Sequence, residues 1–112
     1  MNQSDLLREI TATYQKFGWT LRSLLLTETV RRELSENSHL IPETVSVENS
    51  EINALWFSRV SGVREAWELR LLSESPFALI ETFEQNTSVA ERAKRREMMR
   101  EKLRINASKF KV

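Results

Sequence analysis

Along residues 4–17 the apolar side chains Leu6, Leu7, Ile10, Tyr14 and Phe17 recur at helical spacing and make one stripe. Ser4 stands where a helix N-cap belongs, and Asp5 sits favourably beside the positive end of the helix dipole. Gly18 then suits a left-handed stop. The segment "WTLRSLLLT" that follows is too short to reveal its period, so a strand and a second helix both fit it. Coming straight after a helix stop, it reads better as a strand. "TETVRREL" is a short helix with Val30 and Leu34 turned inward, and "SENSHLIPETVSVENS" is polar punctuation. Pro42 biases Ile41 toward an extended conformation.

Residues 50–84 change period from helical to alternating. Ser61-Gly62 is a two-residue turn signal and 73–76 a four-residue one, which divides the stretch into three antiparallel strands. Those loop lengths set Val60 opposite Val63, Trp56 opposite Trp67, Ala54 opposite Leu69 and Ile52 opposite Leu71. Across the second turn they set Leu72 opposite Phe77, Leu69 opposite Ile80, Glu68 opposite Glu81 and Ala66 opposite Phe83. Side chains alternate between faces. The first face then holds Ile52, Ala54, Trp56, Trp67, Leu69, Leu71, Ala78 and Ile80, a core surface for the chain's own helices. The second holds Leu55, Phe57, Arg59, Ala66, Glu68, Arg70, Leu72, Phe77, Leu79, Glu81 and Phe83. It is half apolar and half charged, so it calls for a cover: the C-terminal helix, a second copy, or a ligand.

"SVAE" at 88–91 is a capping box that opens a helix running to about Ile105. Ten of the fourteen residues in 91–104 are charged, and Val89, Ala93, Met99 and Leu103 form a thin apolar seam. Such a helix folds better docked on a partner than alone.

Charge sharpens this division. Residues 1–86 carry 8 basic and 13 acidic residues, a balance of −5, whereas 87–112 carry 9 and 3, a balance of +6. The expected organisation is a compact α+β domain at 1–86 and a basic C-terminal helix or tail at 87–112, docked or used in assembly. The 112 residues contain no Cys and only two Gly and two Pro, which excludes a disulfide framework, a thiolate nucleophile and Gly-rich phosphate loops. The start of the chain lacks a secretory pattern and no apolar run exceeds four residues, so the expectation is a cytoplasmic protein without a membrane span.

The chemistry-bearing residues are sparse. His39 is the single histidine and reads as a loop residue; Asp5 is the single Asp. No catalytic residue, metal site or cofactor is indicated. Glu68 and Glu81, if neighbours, would raise each other's pKa, with Arg59 and Arg70 on the same face to neutralise them or to take an anion bidentately. In the tail, Arg92, Lys94, Arg95, Arg96, Arg100, Lys102 and Arg104 are candidate phosphate contacts. Three Glu interrupt them and no stacking aromatics accompany them, so docking onto the acidic body is the stronger reading.

The expected fold is α+β: a three- to four-stranded antiparallel sheet packed on an N-terminal helix, with a highly charged C-terminal helix. The expected function is non-enzymatic, a protein–protein interaction module that pairs with itself as a homodimer or with another protein. Its interface would use Phe57, Arg59, Glu68, Arg70, Phe77, Leu79, Glu81 and Phe83. The alternatives are nucleic-acid binding through the C-terminal helix and a small anionic-ligand-binding domain.

Overall fold

A computed structural model describes residues 2–36 and 41–109. His39 therefore lies outside the described residues. The chain runs α1 (Gln3–Lys16), β1 (Thr20–Leu26), α2 (Glu28–Ser35), β2 (Ser46–Asn49), β3 (Ala54–Ser61), β4 (Arg64–Leu71), β5 (Ala78–Glu84) and α3 (Val89–Lys109). The fold is α+β, with a helix at each end of the described chain.

Helix α1 is capped by Asn2, whose side chain accepts the Asp5 N–H at 2.8 Å, so the cap lies two residues before the expected Ser4. Gly18 ends the helix as expected: its φ is +86°, and its N–H returns to the Gln15 carbonyl. Residues 20–26 are a strand, which resolves the ambiguous segment. Thr27 caps α2 through its hydroxyl, and Val30 and Leu34 are buried.

The sheet has five strands in the order β2-β1-β3-β4-β5. The expected three or four antiparallel strands are thus corrected to a mixed sheet, because β2 joins β1 in parallel after the α2 crossover. Ser46–Asn49 has one apolar residue, Val47, and shows no sequence period. Its strand state comes from main-chain pairing with β1 rather than from burial.

Two registers also differ from expectation. In the β3–β4 hairpin the last pair is Ser61–Arg64, so the loop is Gly62-Val63 and Trp56 faces Leu69 rather than Trp67. Gly62 has φ +62°, which a tight hairpin demands at its first loop position and which glycine adopts without strain. A slip of two residues leaves both strand faces unchanged.

Between β4 and β5 the slip is one residue. The Leu71 N–H donates to the Phe77 carbonyl at 2.9 Å, and Leu72 leaves the strand to donate to the Asn53 carbonyl. Glu68 consequently faces Ile80 and Trp67 faces Glu81. Every β5 side chain is on the face opposite to the one expected.

Helices cover both faces. Helices α1 and α2 lie with Leu6, Leu7, Ile10, Val30 and Leu34 against Leu21, Leu24, Leu26, Leu55 and Phe57. Helix α3 lies on the other face, with Met99, Leu103 and Ala107 against Leu25, Ile52, Ala54, Trp56 and Leu69. The assignment is the reverse of the expected one: the Trp56–Leu69 face takes the C-terminal helix, and the Phe57 face takes the two N-terminal ones. Helix α3 begins after its Ser88 cap, which accepts the Glu91 N–H at 3.1 Å. The real seam is Met99, Leu103 and Ala107; Val89 is exposed.

Candidate functional site

The eight residues expected to share one surface are divided between two faces. Phe57, Arg59, Glu68 and Arg70 lie on the α1 side, while Leu79, Glu81 and Phe83 lie on the α3 side and Phe77 joins the α3-side core. Phe57 and Phe83 are completely buried in the chain's own core. Glu68 and Glu81 are on opposite sides of the sheet, so they do not form a carboxylate pair.

On the α1 side Tyr14, Arg59, Glu68 and Arg70 each have a local partner. Tyr14 stacks on Phe57 with centroids 4.1 Å apart and donates its hydroxyl to Glu68. Burial, reinforced by the Glu68 carboxylate, raises the Tyr14 pKa well above the ordinary phenol value. Arg70 is only 9% exposed, and its Nη1 donates to the carbonyls of Leu71, Ser73 and Ser75, fixing the β4–β5 loop. Arg59 lies 4.7 Å from the Trp19 ring centroid and donates to the Phe17 carbonyl.

On the α3 side the basic helix meets acidic partners. Arg92 pairs with Glu65 at 3.4 Å, Arg95 with Glu81, Arg100 with Glu48 at 3.8 Å, and Arg104 with Glu51 at 3.9 Å and Glu101 at 2.5 Å. Arg92 and Arg95 also lie over the Phe83 ring. Lys94 and Lys102 are exposed. Of the seven candidate phosphate contacts, four are therefore held by carboxylates of the body or of the helix itself.

Arg96 has a different environment. Its guanidinium lies 4.6 Å from the Trp67 ring centroid, and that of Arg22 lies 5.8 Å from the same ring. Among the described residues neither has a carboxylate within ion-pair distance. Arg22 reaches this position through a β-bulge: the β1–β3 register skips between Leu21 and Ser23, leaving Arg22 unpaired. The indole N–H of Trp67 donates to Glu65, and Trp56 meets Trp67 edge to face at 5.9 Å. Both contacts fix the ring on which the two guanidinium groups rest.

The two arginines open onto a cleft of about 390 Å³ between α3 and the β1–β2 end of the sheet. Ser23, Ser46 and the Arg100–Glu48 pair complete its polar wall, with Glu97 at the rim. Three guanidinium groups against two carboxylates leave the lining with a charge of +1. Sequence reasoning nominated Arg96 and Arg100 but missed Arg22, Ser23, Ser46 and Trp67. The available signal was Arg22 itself, a lone charge in the apolar strand "TLRSLLL".

Among the described residues no cluster of His, Asp or Glu is arranged to hold a metal ion, and no helix is long and apolar enough to cross a membrane. Compared with protein families, with curated proteins and with solved structures, the chain has no match.

Proposed function

We propose that this protein is a non-enzymatic binding module whose ligand carries a compact anionic group, a phosphate or a carboxylate, held in the Trp67 cleft. The carrying observation is the pair Arg22 and Arg96, both placed over one indole and neither matched by a carboxylate among the described residues. Guanidinium groups held by a ring keep their N–H forks aimed outward, the geometry that takes phosphate or carboxylate in a bidentate manner. Ser23 and Ser46 add hydroxyl donors from the neighbouring strands. The cleft volume falls within the range of small-molecule sites, roughly 300–1,000 Å³.

A small molecule and a nucleic-acid strand can both supply this anion; the chemistry at the arginines is the same. Titration of the Trp fluorescence with inorganic phosphate, a dicarboxylate and a single-stranded oligonucleotide separates the sources. A small-molecule site saturates with the simple anions. A nucleic-acid site responds to the oligonucleotide alone, with affinity falling steeply as salt rises. In either case Arg96→Gln and Arg22→Gln each abolish the response. A wild-type protein indifferent to all three probes would end the reading.

A further inference from the structure

The outer edge of β5 is half closed. Because the Phe77 carbonyl points at β4, strand alternation turns the N–H and C=O groups of Ala78, Ile80, Thr82 and Glu84 away from the sheet. Arg95 donates to the Thr82 carbonyl at 3.3 Å and Arg92 to the Glu84 carbonyl at 3.1 Å. These two side chains from α3 occupy the C-terminal half of the edge. No such cap reaches Ala78 or Ile80 among the described residues, and the Ile80 side chain is 58% exposed.

Beside the open half lies a second cleft, of about 640 Å³, between α1 and the β4–β5 loop. Ala78 and Pro76 belong to its lining, with Leu6 and Ile10 as apolar floor. Its charged groups are Glu9, Glu68 and Glu74 against Arg70, whose Nη1 is already held by three loop carbonyls. The cleft is therefore acidic where the edge is open.

We propose that residues 78–80 accept an extended peptide segment as a sixth, antiparallel strand, with an apolar side chain beside Ile80 and a Lys or Arg two positions along, above the acidic cleft. Three things select this occupant. The open edge supplies main-chain donors and acceptors for strand addition. The antiparallel sense continues the β3–β4–β5 meander. In an antiparallel pair, partner residues that hydrogen-bond to Ala78 and Ile80 also share their face, so alternate partner side chains fall on Ile80 and on the cleft. The charge of Glu9 and Glu68 makes the second of those side chains basic.

The test uses the unmodified protein and a blocked peptide, Thr-Lys-Thr-Val-Thr-Lys-Thr, followed by amide NMR and fluorescence anisotropy. Saturable binding with amide shifts at Ala78 and Ile80 is expected. Methylating the peptide's Val and Lys nitrogens removes the groups that point at β5 and weakens binding about tenfold or more. Methylating its Thr nitrogens leaves binding intact. Replacing both Lys by Glu abolishes it, and Glu9→Gln weakens it without lowering the melting temperature. The proposal fails if both methylated peptides bind alike, if the shifts fall at Trp67 and Arg22 instead, or if no peptide binds. It also fails if the protein alone dimerises through β5, because a second copy then owns the edge.

Discussion

Tyr14 lies nearly parallel to Phe57, the rings 12° apart, and its hydroxyl reaches past that ring to the Glu68 carboxylate. One side chain thereby joins α1 to β3 through stacking and to β4 through a hydrogen bond. Tyr14→Phe keeps the stacking and removes the donor. A cost of about 1 kcal/mol is expected, the usual net contribution of one partly buried hydrogen bond, measured as a fall in the urea midpoint with an unchanged slope.

Alkaline pH tests the same contact. Burial first, then the neighbouring Glu68, raises the Tyr14 pKa, so the folded protein retains the phenol proton where the unfolded chain has lost it. The unfolded state then binds fewer protons, and stability falls as pH rises above about 10, the ordinary tyrosine value. Below that pH this contribution is constant. Tyr14 is the only tyrosine, so phenolate absorbance reports it alone. The folded protein should show no phenolate until it begins to unfold, and Tyr14→Phe should flatten the alkaline limb of the stability curve. Ordinary titration near pH 10 in the folded state would remove the argument.

Leu103 is completely buried where α3 meets the Trp56–Leu69 face. Leu103→Ala should cost about 2–5 kcal/mol, as large-to-small changes in cores do. If α3 is integral to the domain, far-ultraviolet circular dichroism and Trp fluorescence will report one shared, lowered transition. Separate transitions, with the helix lost first, would show 87–112 to be an independently docked unit.

The comparison of pattern with structure turns on the size of the register slips. The β3 and β4 faces were legible because the hairpin slip is two residues, which returns each side chain to the same side. The β5 face was not legible, because Arg70 ties down a longer loop and Leu72 exits the strand; a one-residue slip moves Phe77, Leu79, Glu81 and Phe83 to the other side. The cap at Ser88 and the stop at Gly18 are local chemistry and were read directly, whereas the α1 cap fell on Asn2 rather than Ser4 and the Thr27 cap was not read. Strand β2 has no local signal beyond Val47. The candidate cleft was half legible: Arg96 and Arg100 stood out in a basic helix, but Arg22 joins them through a bulge that depends on β3.

Gly62 offers a clean test of the hairpin. A Cβ added there meets nothing within 4 Å, so only its left-handed φ opposes substitution. Gly62→Ala is expected to cost about 1–2 kcal/mol, and Gly62→Asn less, since Asn tolerates that region better. Equal losses from both, measured by chemical denaturation, would point to a contact rather than backbone conformation.

The arginines of α3 should separate by role. Arg95 pairs with Glu81, covers Phe83 and caps the Thr82 carbonyl, so Arg95→Gln removes a partner from a half-buried carboxylate and opens the β5 edge. Lower stability is expected, together with concentration-dependent association in sedimentation velocity. Among the described residues Arg96 has no carboxylate partner, and its contact with Trp67 is worth about 0.5–1 kcal/mol at an accessible site. Arg96→Gln should therefore leave the apo protein near wild-type stability and monomer content while abolishing the stabilisation by phosphate or carboxylate ligands. If Arg96→Gln instead destabilised the apo protein as much as Arg95→Gln, its guanidinium would be part of the scaffold, and the Trp67 cleft would lose its claim to be a binding site.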